Sequence, residues 1–443
     1  MDTRLLSLNQ DELAYEQSDN LETMQFLNEV IEQFPKAISF ASGRPSETGF
    51  DLQNWLSRID DFVEYAANER NVDQSQIYRS LSQYGKTSGI VNQIICDVLR
   101  NDEQMQVTEE QLIVTNGAQE AMLLCLMTLF DRSQDLLVLT DPTYNGMSAL
   151  AEILGIESVV VDSDEEGPDL TSLENLISKA NTQGKTIKGL YVIPDFSNPL
   201  GDSISLQRRQ ELLRFSQIHK ILIIEDSPYR YFRYEGQDIP SLKALDNSAN
   251  VIQMGTFAKT VCPGLRIGYL IADQQFVLND KPASLMEEFV KVKSYTSVNT
   301  SQVAQAMLGG ILLDAKLSLR DMVVPLVKEY KQKLSTLLIA LQNHFAQADN
   351  PLLRDIHWQT PEGGFFLTLN LPVPFGKQEA MDCARDFGVI CVPVSFFSST
   401  EKYQNCLRLS FSYTKLEQID TGIAALANYL SQLIDRTRHD HQS

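Results

Sequence analysis

The sequence predicts an α/β protein with a mainly parallel central sheet covered by helices on both faces, and a smaller α+β part after it. Three observations carry this. Between about residues 90 and 275, helix-like segments alternate with the short runs "QLIVT", "DLLVLT", "ESVVV", "GLYVIP", "ILIIED", "NVIQM" and "RIGYLIA". Those runs are apolar at nearly every position, as strands buried on both faces must be, and the helices between them supply the crossovers that parallel neighbours need. In the last third the alternation gives way to a long helical pattern and then mixed elements. The expected division is an N-terminal segment (1–50) that joins the smaller part, a large domain (51–315) and a small C-terminal domain (316–443).

Taken in order, the first element is an amphipathic helix opening after the Ser18-Asp19-Asn20 cap signal, because Leu21, Met24, Leu27, Val30, Ile31 and Phe34 share one face. After Pro35 an extended piece, "AISFASGRP", runs in. The seven apolar runs come next. In the last third, "VPLVKEYKQKLSTLLIALQNHF" reads as a long helix that leads into "GGFFLTLNLP". A helix over "KQEAMDCARDFG", a strand over "VICVPV" and a final helix from about Thr414 to Ile434 complete the chain.

Composition narrows the function. The 443 residues are 43% hydrophobic and 21% charged, ordinary for a globular protein and enough for two substantial cores. A formal charge of −21 and a pI near 4.7 argue against a nucleic-acid or anionic-membrane surface, which calls for a basic field. Small-molecule chemistry is expected instead. The six cysteines show no C-x-x-C spacing and read as buried thiols in a reducing compartment. The longest apolar run, "AMLLCLMTLF", is too short to span a bilayer, and the first residues are acidic and lack the apolar segment of a secretory leader. A soluble, cytoplasmic protein is expected.

Ligands of such sheets sit at the carboxyl ends of the strands, so the residues just beyond each run are the ones to inspect. "QLIVT" leads into "NGAQEAM", where Gly117 lets an anion approach the free N–H groups of Ala118 and Gln119, unless the turn is only a helix entry. "DLLVLT" leads to Tyr144, a ring for a flat ligand or a core residue. "GLYVIP" leads to Asn198, a donor into the crevice or a turn former. "ILIIED" ends on Asp226, whose fitting partner is a protonated heterocyclic nitrogen; a helix cap or structural ion pair is the plainer alternative. "NVIQMGTF" delivers Lys259, a candidate for Schiff-base chemistry or a surface lysine, and Arg266 opens the last run as an anion ligand or an edge charge. One ligand needs the whole set. Pyridoxal 5'-phosphate takes a lysine for its aldehyde, an aspartate for its ring nitrogen, and an arginine with a helix terminus for its phosphate.

Those residues resemble the fold-type I, class I/II aminotransferases, especially the branch with kynurenine/aminoadipate aminotransferases and the catalytic domains of MocR-type regulators. The resemblance runs from "ISFASGRP" to "CLRLSFSY". "TFAKTVCPGLRIGY" is similar to the family's S-F-S-K-x-x-x-P-G-L-R-x-G-Y signature, and "NPLG", "EDSPY" and "LRLSFS" keep the family's order. It implies a three-layer transferase fold with a smaller α+β domain. It also implies a role for each position: Lys259 holds the cofactor and moves the proton, Asp226 pairs with the ring nitrogen, and Asn198 and Tyr229 bind the phenolic oxygen. Tyr144 stacks on the ring, while Gly117, Ala118, Gln119, Thr256 and Arg266 hold the phosphate. Arg408 grips the substrate α-carboxylate as a planar bidentate clamp. "SQYG" is similar to the segment that reaches a neighbouring subunit's phosphate, which implies a homodimer with Tyr84 at the interface.

Two positions depart from the family. Ala258 stands where a phosphate-binding serine is usual, and Arg44, after Gly43 in "ASGRP", replaces an apolar residue near the substrate side chain. Arg44 is expected to bind an anionic side chain or distal carboxylate, with a surface arginine or an inter-subunit salt bridge as the alternative. The implied reaction moves an amino group from an L-amino acid to a 2-oxo acid, with 2-oxoglutarate and glutamate as the expected pair. Elimination, cyclisation or oxidation of an amino acid on the same cofactor is the first alternative, and a regulator without its DNA-binding module the second.

Overall fold

In a computed structural model, which describes Leu21, Phe26 and residues 29–440, the seven apolar runs form one seven-stranded sheet. After a short strand β1 (Ile38–Ser39) its members are β2 (Leu112–Thr115), β3 (Asp135–Thr140), β4 (Ser158–Val161), β5 (Thr186–Val192), β6 (Leu222–Asp226), β7 (Val251–Thr256) and β8 (Gly268–Ile271). Their spatial order is β2-β8-β7-β6-β5-β3-β4. The five strands from β7 to β4 pair in parallel. β8 runs antiparallel to both its neighbours, with Gly268 opposite Thr115 on one side and Thr256 on the other.

Burial on both faces obeys the period of two. Leu137, Leu139 and Ile224 enter one core with Met122 and Cys125 from helix α1 (Ala118–Leu129). Leu136, Val138 and Ile223, offset by one residue, enter the opposite core with Leu173 and Leu212. A strand that must satisfy two cores has no polar face, which is why these runs stand out in the sequence. The α2 (Asn145–Ile153) and α3 (Leu285–Thr296) helices also belong to the large sheet's surroundings.

The last third packs a second sheet against the first body. Helix α4 (Val324–Leu341) precedes β9 (His357–Trp358) and β10 (Phe366–Asn370); helix α5 (Lys377–Phe387), β11 (Val389–Ile390), β12 (Val392–Pro393), β13 (Cys406–Ser410) and helix α6 (Ile419–Asp440) come after them. Strands β9, β10, β13 and β12 make an antiparallel sheet in that order, and β11 pairs in parallel with β1.

Three expectations are corrected here. "VICVPV" is two strands, because the chain leaves β1 at Cys391 and joins β13 with its next two residues. The final helix starts at Ile419, since the Thr414 hydroxyl donates to the carbonyls of Ser39 (2.7 Å) and Ser410 (3.3 Å) and a tight turn, Leu416–Gln418, intervenes. It then runs past Ile434 to Asp440. At the N-terminus, Leu21, Phe26 and residues 29–33 are helical and Phe34 closes the helix through its N–H to Val30 O, 3.0 Å. Phe26 and Val30 pack against Ala384, Ile390 and Phe397. The cap signal, Met24 and Leu27 lie outside the described residues. No helix among the described residues is long and apolar enough to cross a membrane.

Candidate active site

The carboxyl ends of the parallel strands open on a cavity of about 330 Å³. Ala118 and Gln119 reach it from the start of α1, Tyr144 from the residue before α2, and Asn198 from the loop after β5. Asp226 and Tyr229 come from the end of β6, Thr256 and Lys259 from the end of β7, and Arg408 from β13. Gly43 and Arg44 close one side. Arg266 arrives by a different route: it precedes a strand instead of trailing one, and only the antiparallel direction of β8 brings that start to the common rim. Tyr84 is not part of this cavity and is 84% exposed.

Asp226 is held by the sheet. Tyr191 pairs with Ile224 across the parallel β5–β6 ladder, so Tyr191 and Asp226, two residues further, share a face. The Tyr191 hydroxyl donates to Asp226 Oδ2 at 2.8 Å, and Oδ1 is buried with no partner. Burial pushes the carboxyl up to about 7, against the opposing pull of Tyr191 and Lys259. An orphaned buried acceptor of this kind calls for a ligand that donates to it.

The Lys259 ammonium donates to the carbonyl of Gly43 at 2.8 Å and lies 5.9 Å from the centre of the Tyr229 ring. Burial first, and the Arg266 charge second, pull it down to about 8, with Asp226 opposing and Arg408 and Arg44 adding smaller repulsions. A lysine so placed is neutral often enough near pH 7.5 to serve as nucleophile or base.

The anion end is built by close approach. Gly117, with φ of 77°, precedes α1, and a Cβ there would stand 2.6 Å from Arg266 Nη2. Gly268 at the start of β8 leaves no room either: its Cβ would meet the Gly255 carbonyl oxygen at 2.6 Å and Gly117 C at 2.8 Å. Arg266 itself takes φ of 53°, at the end of the Pro263–Leu265 turn. Side-chain cation and helix terminus therefore converge on one point. Where a serine was expected at 258, the alanine's backbone N–H donates to the Thr256 hydroxyl at 3.1 Å.

Arg408 is buried and directional. Its Nη1 donates to Asn198 Oδ1 (2.6 Å) and its Nη2 to the Ala41 carbonyl (2.6 Å), while Nε has no partner. The guanidinium packs on the rings of Phe366 (4.6 Å) and Phe397 (4.8 Å). Burial lowers it to about 10, so it stays charged at neutral pH. Tyr229 is edge-on to Phe365 and Phe366. Arg44 is exposed at the cavity side and forms no ion pair with a described residue, though its carbonyl accepts the Ser412 hydroxyl at 2.7 Å.

Sequence reading missed Tyr191, Phe366, Phe397 and the lining residues Met122, Ile193 and Pro228. Tyr191 alone carried a signal: a phenol inside a run otherwise suited to aliphatic burial.

This donor set fits pyridoxal phosphate. The free Oδ1 of Asp226 suits a ring N–H, the Lys259 amine suits an aldehyde, and the space a Gly117 Cβ would fill suits a phosphate. Comparison with known proteins agrees. The model of the family "Aminotransferase class I and II" matches residues 36–426. The chain is 36% identical over 407 residues to the (S)-3,5-dihydroxyphenylglycine transaminase of Amycolatopsis orientalis, covering 92% of this chain and 91% of that one. It is 25% identical over 437 residues to the mitochondrial kynurenine/alpha-aminoadipate aminotransferase of Bos taurus, covering 93% and 96%. The crystal structure of Pyrococcus horikoshii kynurenine aminotransferase superposes with a TM-score of 0.79 at 25% identity, over 96% of this chain and 97% of that one. A lysine, an aspartate with one free oxygen and a cationic rim at the ends of one sheet thus find their explanation in descent: the chain belongs to the class I and II aminotransferases, pyridoxal-phosphate enzymes of fold type I.

Proposed function

We propose that this aminotransferase exchanges the amino group of an L-amino acid with 2-oxoglutarate, and that Arg44 selects substrates carrying a second anionic group. Bound pyridoxal phosphate supplies an electron sink for the donor's Cα–H bond and carries the nitrogen between two half-reactions, giving ping-pong kinetics. Lys259 anchors it, and its neutral amine moves the proton at the substrate Cα. Asp226 Oδ1 keeps the proton on the ring nitrogen. Asn198 and Tyr229 hold the phenolic oxygen, Tyr144 covers the ring, and Gly117, Ala118, Gln119, Thr256 and Arg266 take the phosphate. Arg408 takes the α-carboxylate, with Gly43 beside the substrate.

The observation that carries the second-anion reading is a count of cations. Four line one cavity: Lys259, Arg266, Arg408 and Arg44. The cofactor and an α-carboxylate use the first three. Arg44 has no ion-pair partner among the described residues, so a distal carboxylate is the charge it lacks. The test compares 2-oxoglutarate with 2-oxobutyrate, a monocarboxylate, in Arg44→Gln. Loss of about tenfold or more in kcat/KM for 2-oxoglutarate alone is expected; equal losses, or none, overturn it.

We also infer a homodimer in a reducing, cytoplasmic setting. Gln302 Nε2 donates to the carbonyls of Ser80 and Gln83, which ties the segment carrying Tyr84 to the helix that carries Val303, and both Tyr84 and Val303 are exposed. That apolar surface supports a second copy as its cover, with Tyr84 at the interface. Six cysteines, all free, support the reducing setting. The division at 50 and 315 draws support from the pairing of β1 with β11. Light scattering that reports a monomer would overturn the dimer.

A further inference from the structure

Among the described residues two fully buried cations, Arg209 and Lys293, lie outside the cavity. Lys293, near the end of α3, has no exposed surface, yet it is not an idle core residue. Its Nζ donates to Glu120 Oε2 (2.7 Å), Ser297 Oγ (2.9 Å) and Thr300 Oγ1 (3.2 Å), so its three protons are all placed. Glu120 sits in the first turn of α1, three residues after Gly117. Its Oε2 also accepts the backbone N–H of Asn116 at 2.6 Å, and its Oε1 accepts the Ser297 hydroxyl. The Thr300 hydroxyl donates in turn to the Val114 carbonyl at 3.2 Å, and that of Thr115 to the Gly117 carbonyl at 2.9 Å. The network thus reaches Val114 on β2, the Asn116 N–H and Glu120 in the first turn of α1, on both sides of the strand-to-helix turn.

The charge logic is specific. A carboxylate in the first turn of a helix is favoured by the helix dipole, but here it competes with the ligand. A phosphate dianion at the same terminus is repelled by an unbalanced negative charge a few ångströms away, in surroundings that screen poorly. Burial alone would raise the Glu120 carboxyl; the hydrogen bonds from Lys293, Ser297 and Asn116 outweigh it and hold the group below its usual range, as an anion. Its charge therefore needs cancelling.

We propose that Lys293 is a positioning residue for the anion end of the site: it neutralises Glu120 and pins the Asn116–Gly117 turn, leaving the N–H groups of Ala118 and Gln119 to a phosphate. This rests on the reading that the Gly117 turn takes the cofactor phosphate. It makes a distinction that a purely structural ion pair does not, between ligands with and without that phosphate.

The experiment strips the purified enzyme of cofactor and titrates it with pyridoxal phosphate and with pyridoxal, which has an alcohol in place of the phosphate ester. In Lys293→Met the Kd for pyridoxal phosphate is expected to rise about tenfold or more, with pyridoxal changed less than about twofold. Glu120→Gln keeps an acceptor for Asn116 and removes the negative charge, so it holds pyridoxal phosphate as tightly as the parent or more so. The double variant returns to within about threefold of the parent. Equal weakening of both ligands in Lys293→Met, or weakening of pyridoxal phosphate in Glu120→Gln as large as that in Lys293→Met, overturns the proposal. If Lys293→Met does not fold, Glu120→Gln and the double variant decide: pyridoxal phosphate bound within about threefold of the parent in both supports the proposal, and weakening by about tenfold or more in either overturns it. Arg266→Ala is the control: if it too leaves the ratio of the two ligands unchanged, the failure lies in placing the phosphate at this turn and not in Lys293.

Discussion

Tyr191 donates its hydroxyl to Asp226 Oδ2 at 2.8 Å and leaves Oδ1 buried and unpaired. One of the carboxylate's oxygens is thus taken by the sheet and the other is left without a partner. Burial drives Asp226 up to about 7, and Tyr191 is the larger of the two influences that oppose it. Tyr191→Phe is therefore expected to raise Asp226 further in the cofactor-free protein, so that the pH below which its affinity for pyridoxal phosphate falls moves up by about one unit. At pH 8.5, where Asp226 is ionised in both proteins, the loss in kcat should stay within about tenfold. A pH profile of that affinity whose acid limb does not move would count against the assignment.

Cofactor-free protein offers a second view of the same group. Asp226 titrates at about 7 when folded against an ordinary value of 3.8, so between those limits the folded state binds the proton and the unfolded state does not. The stability it contributes is full below about pH 4 and is lost as pH rises through 7, up to about 4 kcal/mol. Asp226→Asn keeps an acceptor for Tyr191 without the charge. Thermal melts of the cofactor-free variant should show a Tm advantage over the parent that grows from pH 5 to pH 8; a constant difference would contradict it.

Lys259 is expected to titrate near 8 before cofactor is bound, because burial and then Arg266 destabilise its charge. An amine-selective reagent followed by peptide mapping reads that midpoint directly. Arg266→Ala removes the second cause and should shift the midpoint toward 10.5, the ordinary lysine value. No shift would mean that Arg266 exerts no field at the amine.

How far the sequence displayed all this depends on what each feature needs in order to be visible. Burial on two faces writes itself into a strand's composition, so "DLLVLT" and "ILIIED" could be placed within a residue or two. Chemistry at strand ends shows because Asp226 and Lys259 interrupt apolar runs. Direction does not show: "RIGYLIA" reads the same in a parallel or an antiparallel strand, yet Arg266 reaches the rim only because β8 is reversed. Contacts across the fold were hidden too. Phe366 and Phe397 meet Arg408 from separate segments, and Thr414 is drawn out of the final helix by the carbonyl of Ser39.

Arg408 tests whether geometry or charge matters more at the substrate end. Its two terminal nitrogens already point at Asn198 and Ala41, its Nε is free, and its plane rests on Phe366 and Phe397. A lysine keeps the charge but has one nitrogen, no fork and no flat face for the rings. Arg408→Lys should leave Asn198 Oδ1 or the Ala41 carbonyl without its donor and lose one of two bonds to a carboxylate, together about 3–4 kcal/mol, or roughly 10²–10³-fold in kcat/KM. The loss should be the same for a 2-oxo acid with one carboxylate as for one with two, since the α-carboxylate is common to both. Steady-state kinetics on 2-oxobutyrate and 2-oxoglutarate decide it: a loss confined to the dicarboxylate would place the distal group, not the α-carboxylate, on Arg408.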